Sequence, residues 1–291
     1  MRSFLKSFVV QAYPFISRLL APPICDDREL LREALEGKTV LLTGASFGIG
    51  RALSKRLGAA GACVLLLARS EAQLTEARDE IRAAGGEAHS YVLDLTNPEA
   101  VEEVSRAILE EHQQIDVVIH NAGKSIRRSL YKSLDRAHDF QRTMAVNYQG
   151  PVQLQLALLP SMIAAGAGHI VNVSTIGVKL PAGARWAAYS ASKSAFEIWL
   201  NCAVPELIHS GISCTSVYLG LVHTRMSAPT ESYASMPGQT PDQAACVVCR
   251  ALIRKPRGLA PWWLGPISWL NPLLKFPVEC LQTFLLKPKK K

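Results

Sequence analysis

The stretch Thr43–Gly50 reads TGASFGIG and stands where one sequence periodicity gives way to another. Before it, Thr39, Val40, Leu41, Leu42 and Thr43 form a short β-prone run with an apolar centre, the pattern of a strand buried on both faces of a parallel sheet. After it, Ala52, Leu53 and Leu57 alternate with Arg51, Lys55 and Arg56 at helical spacing. The glycines therefore fall at a strand-to-helix turn. Glycine lets the backbone approach an anion closely, and the free N–H groups and dipole at the start of a helix favour negative charge. Gly44, Ser46, Gly48, Ile49 and Gly50 are accordingly the expected contacts of a cofactor pyrophosphate, with the spacing GxxxGxG in place of the commoner GxGxxG.

Working outward, a second apolar run, Cys63–Ala68, ends at Arg69 and Ser70. The strand after the first helix brings its end to the adenosine ribose of a bound dinucleotide. An acidic residue there would accept from a free 2′-hydroxyl, whereas a guanidinium matches a 2′-phosphate, so Arg69 predicts NADP(H). About 145 residues beyond Gly44 the chain reads AAYSASK, with Tyr189 and Lys193 one helical turn apart. A tyrosine with its ordinary pKa near ~10 is a weak base at neutral pH. An ammonium at i+4 favours the phenolate, which makes the pair proton-transfer equipment.

These motifs together resemble the short-chain dehydrogenase/reductase superfamily over roughly residues 37–265. TGASFGIG, Leu93–Leu95 (LDL), Asn121–Gly123 (NAG), VNY around Asn147 and Tyr189–Lys193 (YSASK) occur in that family's order and at its approximate separations. The resemblance implies a Rossmann-type doubly wound α/β fold, a single parallel sheet of about seven strands with helices on both faces. It implies Asp94 near the adenine, Asn121 near the adenosine ribose, Tyr189 and Lys193 on the nicotinamide ribose, and Thr224 on the nicotinamide amide. It also implies that Asn147 holds a water linking the lysine to solvent, and that a hydroxyl at the end of NVSTIG faces the substrate. Thr175 falls at that hydroxyl position, with Ser174 close behind. Adjacent strand residues point to opposite faces, so one of the two is expected to reach the site. After the sixth expected strand the family's proline-glycine pair is replaced by Leu219 and Gly220, a change that predicts a looser turn.

Composition bounds the rest. At 291 residues and 48% hydrophobic content the chain has material for one substantial core, and β-prone runs at 117–119, 170–173 and 212–218 separated by helical segments carry the βαβ signature. Residues 1–36 read as an amphipathic N-terminal extension and 266–291 as an apolar, basic C-terminal tail. Charge is concentrated at the ends: from Arg250 onward nine Lys and Arg face the single acid Glu279, a net of +8 that equals the net of the entire chain, while residues 21–249 carry −3. That distribution excludes a nucleic-acid surface on the catalytic domain. Trp262, Trp263 and Trp269 beside cations, and apolar residues among Arg2, Lys6 and Arg18, have the composition of a membrane interface. Neither end holds the ~18 uninterrupted apolar residues of a spanning helix. Peripheral membrane contact is expected, with packing on the sheet or on a second copy in a homo-oligomer as the competing reading.

Seven cysteines without regular spacing predict free thiols in a reduced compartment, the cytoplasm. Cys246 and Cys249 form a CxxC on a helical pattern without further ligands, so they read as a buried helix face, and no metal is expected. Lys124, Arg127 and Arg128 follow the NAG turn, where they are placed to meet an anionic head group, and 221–240 reads as a substrate-covering loop with Met226, Tyr233 and Met236. The stretches RRSLYKSLDRAHDFQRTMAVNYQG and LVHTRMSAPT resemble a subgroup that includes bacterial long-chain fatty acyl-CoA reductases. The expected partner is a lipophilic small molecule, a carbonyl compound or acyl thioester. A steroid- or retinoid-type alcohol dehydrogenase and a non-catalytic cofactor-binding scaffold are the alternatives.

Overall fold

A computed structural model describes residues 21–181 and 183–286. Helix α1 (Arg28–Leu35) precedes β1 (Thr39–Thr43), α2 (Gly48–Ala59), β2 (Cys63–Ala68), α3 (Glu71–Ala83), β3 (Glu87–Val92), α4 (Pro98–His112) and β4 (Val117–His120). The second half continues through α5 (Ala137–Met144), a π-helical turn (Ala145–Gln149), α6 (Gly150–Ala164), β5 (Gly168–Thr175), α7 (Ala187–Leu207), β6 (Ile212–Leu219), α8 (Pro241–Arg254), β7 (Gly258–Leu259) and α9 (Leu264–Leu285). Local chemistry sets several boundaries. Asn97 Oδ1 accepts from the N–H groups of Glu99 and Ala100 with Pro98 at the first position of α4, and Thr240 and Gln243 close a reciprocal capping box on α8.

The seven strands form one sheet in the order β3-β2-β1-β4-β5-β6-β7, every pair parallel. Alternation along each strand divides the apolar side chains between two cores. Val40 and Leu42 of β1, Val64 and Leu66 of β2 and Val171 of β5 face α2, α3 and α8, where Leu53, Leu57, Ala77 and Val247 are buried. Leu41, Leu65, Val118 and Ile170 point the other way, onto Ile108, Leu154, Leu158 and Leu200 of α4, α6 and α7. Truncating any of these leucines to alanine would cost about 2–5 kcal/mol, a large share of a domain's net stability. Leu31 and Leu35 of α1 are buried in the first core, so these turns of the N-terminal extension pack as part of the body. Residues 1–20 and the tail from Lys287, on which the terminal membrane reading partly rests, lie outside the described residues.

Strand order reverses at β1, which has β2 on one side and β4 on the other. In a doubly wound sheet that reversal opens a crevice at the carboxyl ends of the strands. Cys246 and Cys249 are buried on the core side of α8, as their spacing predicts, and all seven cysteines are free thiols.

Candidate active site

A cleft of about 1110 Å³ occupies the crevice, more than the roughly 300–1,000 Å³ of an ordinary small-molecule pocket. The β1–α2 turn forms one wall. Gly44 and Gly48 adopt positive φ, +69° and +54°. A Cβ on Gly44 would lie 2.8 Å from Ala122 Cα, and one on Gly50 2.1 Å from the Gly44 carbonyl oxygen. Gly44, Ser46, Gly48 and Ile49 line the cleft, while Gly50 is buried behind them, where only a hydrogen atom fits. Thr224 sits against this turn: a Cβ on Gly48 would meet its Cγ2 at 3.1 Å. Asn121 lines the same wall, but its Nδ2 donates to the carbonyls of Thr43 and Gly44 at 2.9 and 3.2 Å, so the amide also ties β4 to the turn.

At the adenosine end Arg69 and Asp94 both line the cleft, 4.0 Å apart and largely exposed. Asp94 Oδ1 accepts from the N–H and the hydroxyl of Thr96, both at 2.9 Å. The Arg69 guanidinium is thus left accessible to a phosphate. Three buried donors that line the cleft, the hydroxyls of Ser46 and Ser174 and the indole N–H of Trp263, have no partner among the described residues. Buried polar groups are normally paired. Together with the glycine cradle, they fit a phosphate-bearing dinucleotide and a polar substrate group.

The proton-transfer residues meet at the end of β5. Tyr189 lines the cleft, half-buried, and hydrogen-bonds Thr175. Burial pushes its hydroxyl up to about 12; the Thr175 hydrogen bond works against the shift and Tyr233 adds to it. Burial therefore outweighs any lowering of the phenol by the neighbouring Lys193. Lys193 Nζ donates to the carbonyl of Val173 at 3.0 Å. Burial brings the lysine itself down to about 8, opposed by the charge of Glu197. Asn147, on the π-helical turn and buried behind the cleft, accepts from the Lys124 N–H at 2.8 Å and donates to the Lys124 carbonyl and Ser192 Oγ, each at 2.9 Å. A Cβ on Gly123 would lie 3.3 Å from Asn147 Oδ1 and 3.5 Å from Lys193 Nζ, which brings the two side chains to the same point beneath the NAG turn.

Ser174 and Thr175 both line the cleft, although they occupy adjacent strand positions. Thr175 Oγ1 accepts from the Gly177 N–H at 3.3 Å as the chain bends into the short 3₁₀ turn Ile176–Val178, and that bend brings the second hydroxyl round. Of the three basic residues after the NAG turn, Lys124 and Arg127 line the cleft. Arg128 does not: its Nε is 3.2 Å from Asp139 Oδ2 and its N–H donates to the Arg185 carbonyl, so it braces α5.

Sequence reasoning missed Glu197, one turn beyond Lys193 on α7 and buried. Its carboxylate accepts from Tyr218 Oη at 2.5 Å, Ser216 Oγ at 2.9 Å and Asn172 Nδ2 at 3.1 Å. The i, i+4 spacing from Lys193 was the available signal. The partners come from β5 and β6 and no local pattern reveals them.

Residues 38–234 match the family model for short chain dehydrogenases. The chain is 44% identical over 231 residues to a fatty acyl-CoA reductase of Acinetobacter baylyi, covering 79% of this chain and 78% of that protein. It is 38% identical over 270 residues to a fatty acyl-CoA reductase of Mycobacterium tuberculosis, covering 88% and 92%. Among solved structures, a metagenomic short-chain oxidoreductase in complex with NADP superposes with a TM-score of 0.66 at 34% identity, over 76% of this chain and 93% of the other. On these matches the chain belongs to the short-chain dehydrogenase/reductase family of oxidoreductases.

Proposed function

We propose that the chain is an NADP(H)-dependent oxidoreductase that transfers hydride to or from a lipophilic carbonyl or hydroxyl compound, with long-chain acyl thioesters and aldehydes as its substrates. The observation that carries this reading is the Tyr189 hydroxyl, bonded to Thr175 and with its pKa raised by burial, in a cleft that Leu180, Pro181, Trp186, Met226 and Trp263 also line. The names of the two bacterial relatives support the substrate class, and the NADP complex supports the cofactor.

When bound, the dinucleotide supplies hydride. The Thr43–Gly50 turn would hold its pyrophosphate, Arg69 its 2′-phosphate, Asp94 its adenine, Asn121 its adenosine ribose, Tyr189 and Lys193 its nicotinamide ribose and Thr224 its carboxamide. In the reductive direction the Thr175 hydroxyl hydrogen-bonds the carbonyl oxygen and fixes its position, with Ser174 as the neighbouring donor. Tyr189 gives its phenolic proton to that oxygen as negative charge develops there. The charge left on the phenolate is stabilised by the Lys193 ammonium, which returns a proton. Asn147 holds the Lys124 backbone and so keeps the floor of the site in place. For a thioester the resulting hemithioacetal expels its thiol and leaves an aldehyde.

The apolar helix α9 supports peripheral docking at a membrane. Trp269, Leu273 and Phe276 follow one another at i, i+4 and i+7 and are exposed, Trp269 by 88%. Asn271 and Gln282 hydrogen-bond the backbone at Lys179 and Ala184, which sets the helix beside the cleft wall at Leu180 and Pro181. No described helix is long and apolar enough to cross a membrane. A lipophilic substrate would then enter from the interface. The reading is tested by following NADPH consumption with long-chain acyl-CoAs, long-chain aldehydes, ketosteroids and retinal. Turnover of the first two is expected; turnover confined to ketosteroids or retinal would replace the substrate class, and none with any of them would overturn the catalytic reading.

A further inference from the structure

The cleft lies at the carboxyl ends of the strands, and the opposite edge of the sheet carries a separate group of ligating side chains. Cys63 opens β2 and pairs in register with Glu87, which opens the edge strand β3. His89 and Tyr91 follow Glu87 at intervals of two and share its face. Glu111 and His112 end α4 over the same face. One donor atom from each of Cys63, His89 and His112 lies within 4.8 Å of the other two. The imidazoles meet edge to face with ring centres 4.7 Å apart. Glu87 hydrogen-bonds the Cys63 thiol, and its Oε1 is 3.3 Å from His89 Nε2. On the far side Glu111 Oε1 is 3.3 Å from His89 Nδ1, while the Tyr91 hydroxyl donates to Glu111 Oε2 at 2.5 Å and stands 2.7 Å from His112 Nε2.

We propose that Cys63, His89, His112 and Glu87 form a structural zinc site that clips β2, the edge strand β3 and the end of α4 together. One thiolate, two imidazoles and one carboxylate make a mixed set of borderline softness, which suits Zn²⁺ and leaves no open position for catalysis. Bond lengths of about 2.0–2.3 Å to a tetrahedral ion put ligand atoms roughly 3.3–3.7 Å apart. Side-chain movement of about an ångström therefore brings Cys63, His89 and His112 around an ion, and Glu87, which lies against Cys63 and His89, turns in as the fourth ligand. Glu111 and Tyr91 form the outer shell of hydrogen-bonding groups that orients imidazole ligands. On binding, the Cys63 thiol gives up its proton to solvent and its sulfur takes the metal. Edge strand β3 gains most, since β2 is its one neighbour in the sheet.

The test uses the full chain without a histidine tag, stripped with chelator and dialysed. Adding Zn²⁺ is expected to give one bound equivalent per chain, a higher melting temperature and unchanged oxidoreductase turnover. Co²⁺ is expected to give tetrahedral visible bands and a near-ultraviolet thiolate-to-cobalt band. Cys63→Ser should abolish that charge-transfer band, and His112→Ala should weaken zinc binding at least tenfold. Should a variant fail to fold, the wild-type chain still decides: zinc must slow alkylation of Cys63, read by peptide mass spectrometry, relative to the metal-free protein. Substoichiometric zinc, a charge-transfer band that survives in Cys63→Ser, or equal alkylation with and without zinc would leave these side chains as a hydrogen-bonded surface network and overturn the proposal.

Discussion

Burial acts in opposite directions on the two protons of the site. It raises Tyr189 to about 12, which keeps a proton available for donation, and lowers Lys193 to about 8, which makes its charge conditional on pH. Because the lysine is depressed from its ordinary value, its charge is complete well below pH 8 and is lost as pH rises through about 8. Reductive kcat/KM should therefore be level near neutrality and fall above about pH 8. Glu197 opposes the depression, so Glu197→Gln should move the falling limb to lower pH. A limb that stays where it was, or moves up, would show that the carboxylate does not act on the lysine. At the end of β5 a second comparison separates two neighbours. Thr175→Ala should lose about 10²-fold in kcat, as removal of an oriented donor does, and Ser174→Ala much less. The reverse order would give Ser174 the substrate oxygen. Sequence order brings Tyr189, Lys193 and Asn147 forward as candidates because a helix turn and a motif are local. It does not reveal that Lys193 bonds the Val173 carbonyl, or that Asn147 clamps Lys124, since those partners arrive through the sheet.

Elements differ in how openly their sequences declare them. β1, β2, β4, β5 and β6 are buried along most of their length; apolar runs mark β1, β2 and β4, whereas β5 and β6 mix apolar residues with buried polar ones such as Asn172, Thr215 and Ser216. β3 (EAHSYV) has one neighbour and a half-exposed face, and β7 is a two-residue strand held by Ser216 and Val217 of β6; neither has an apolar run to read. At the end of β2, Arg69 is exposed and aimed into the cleft. Arg69→Asp replaces a phosphate partner with a repelling charge and should shift the kcat/KM ratio from NADPH towards NADH by at least tenfold, roughly 1.4 kcal/mol. An unchanged ratio would assign the phosphate to another residue. Helix α9 belongs to the same scale. Tryptophan and leucine in a basic tail signal an interface, but only the folded helix shows which side chains remain uncovered. Replacing Trp269, Leu273 and Phe276 by glutamine should weaken binding to anionic vesicles strongly, since burying each such side chain stabilises by about 1.5–3 kcal/mol and nearby lysines by about 1 kcal/mol each. Turnover of a short soluble aldehyde should survive. Equal vesicle binding by the variant would make α9 a packing or assembly element.

At the scale of the whole molecule, one parallel sheet places a glycine turn, an arginine and a tyrosine–lysine helix around one crevice, although they lie far apart in the chain. The alternation of strands and helices makes that architecture readable from the sequence, and the strand-order reversal at β1 locates the crevice. The cluster of Cys63, His89 and His112 was not readable, because its members come from three elements with no shared motif and meet only when β3 pairs with β2. Everything proposed for the cleft converges on one proton. The most direct measurement is NADPH consumption with a long-chain acyl-CoA or aldehyde by the wild-type chain and by Tyr189→Phe, with NADPH binding to both measured by fluorescence. The variant keeps the ring and loses the donor, so turnover should fall by about 10²–10⁴-fold while NADPH affinity is retained. Wild-type turnover by Tyr189→Phe would contradict the assignment of the proton to this residue.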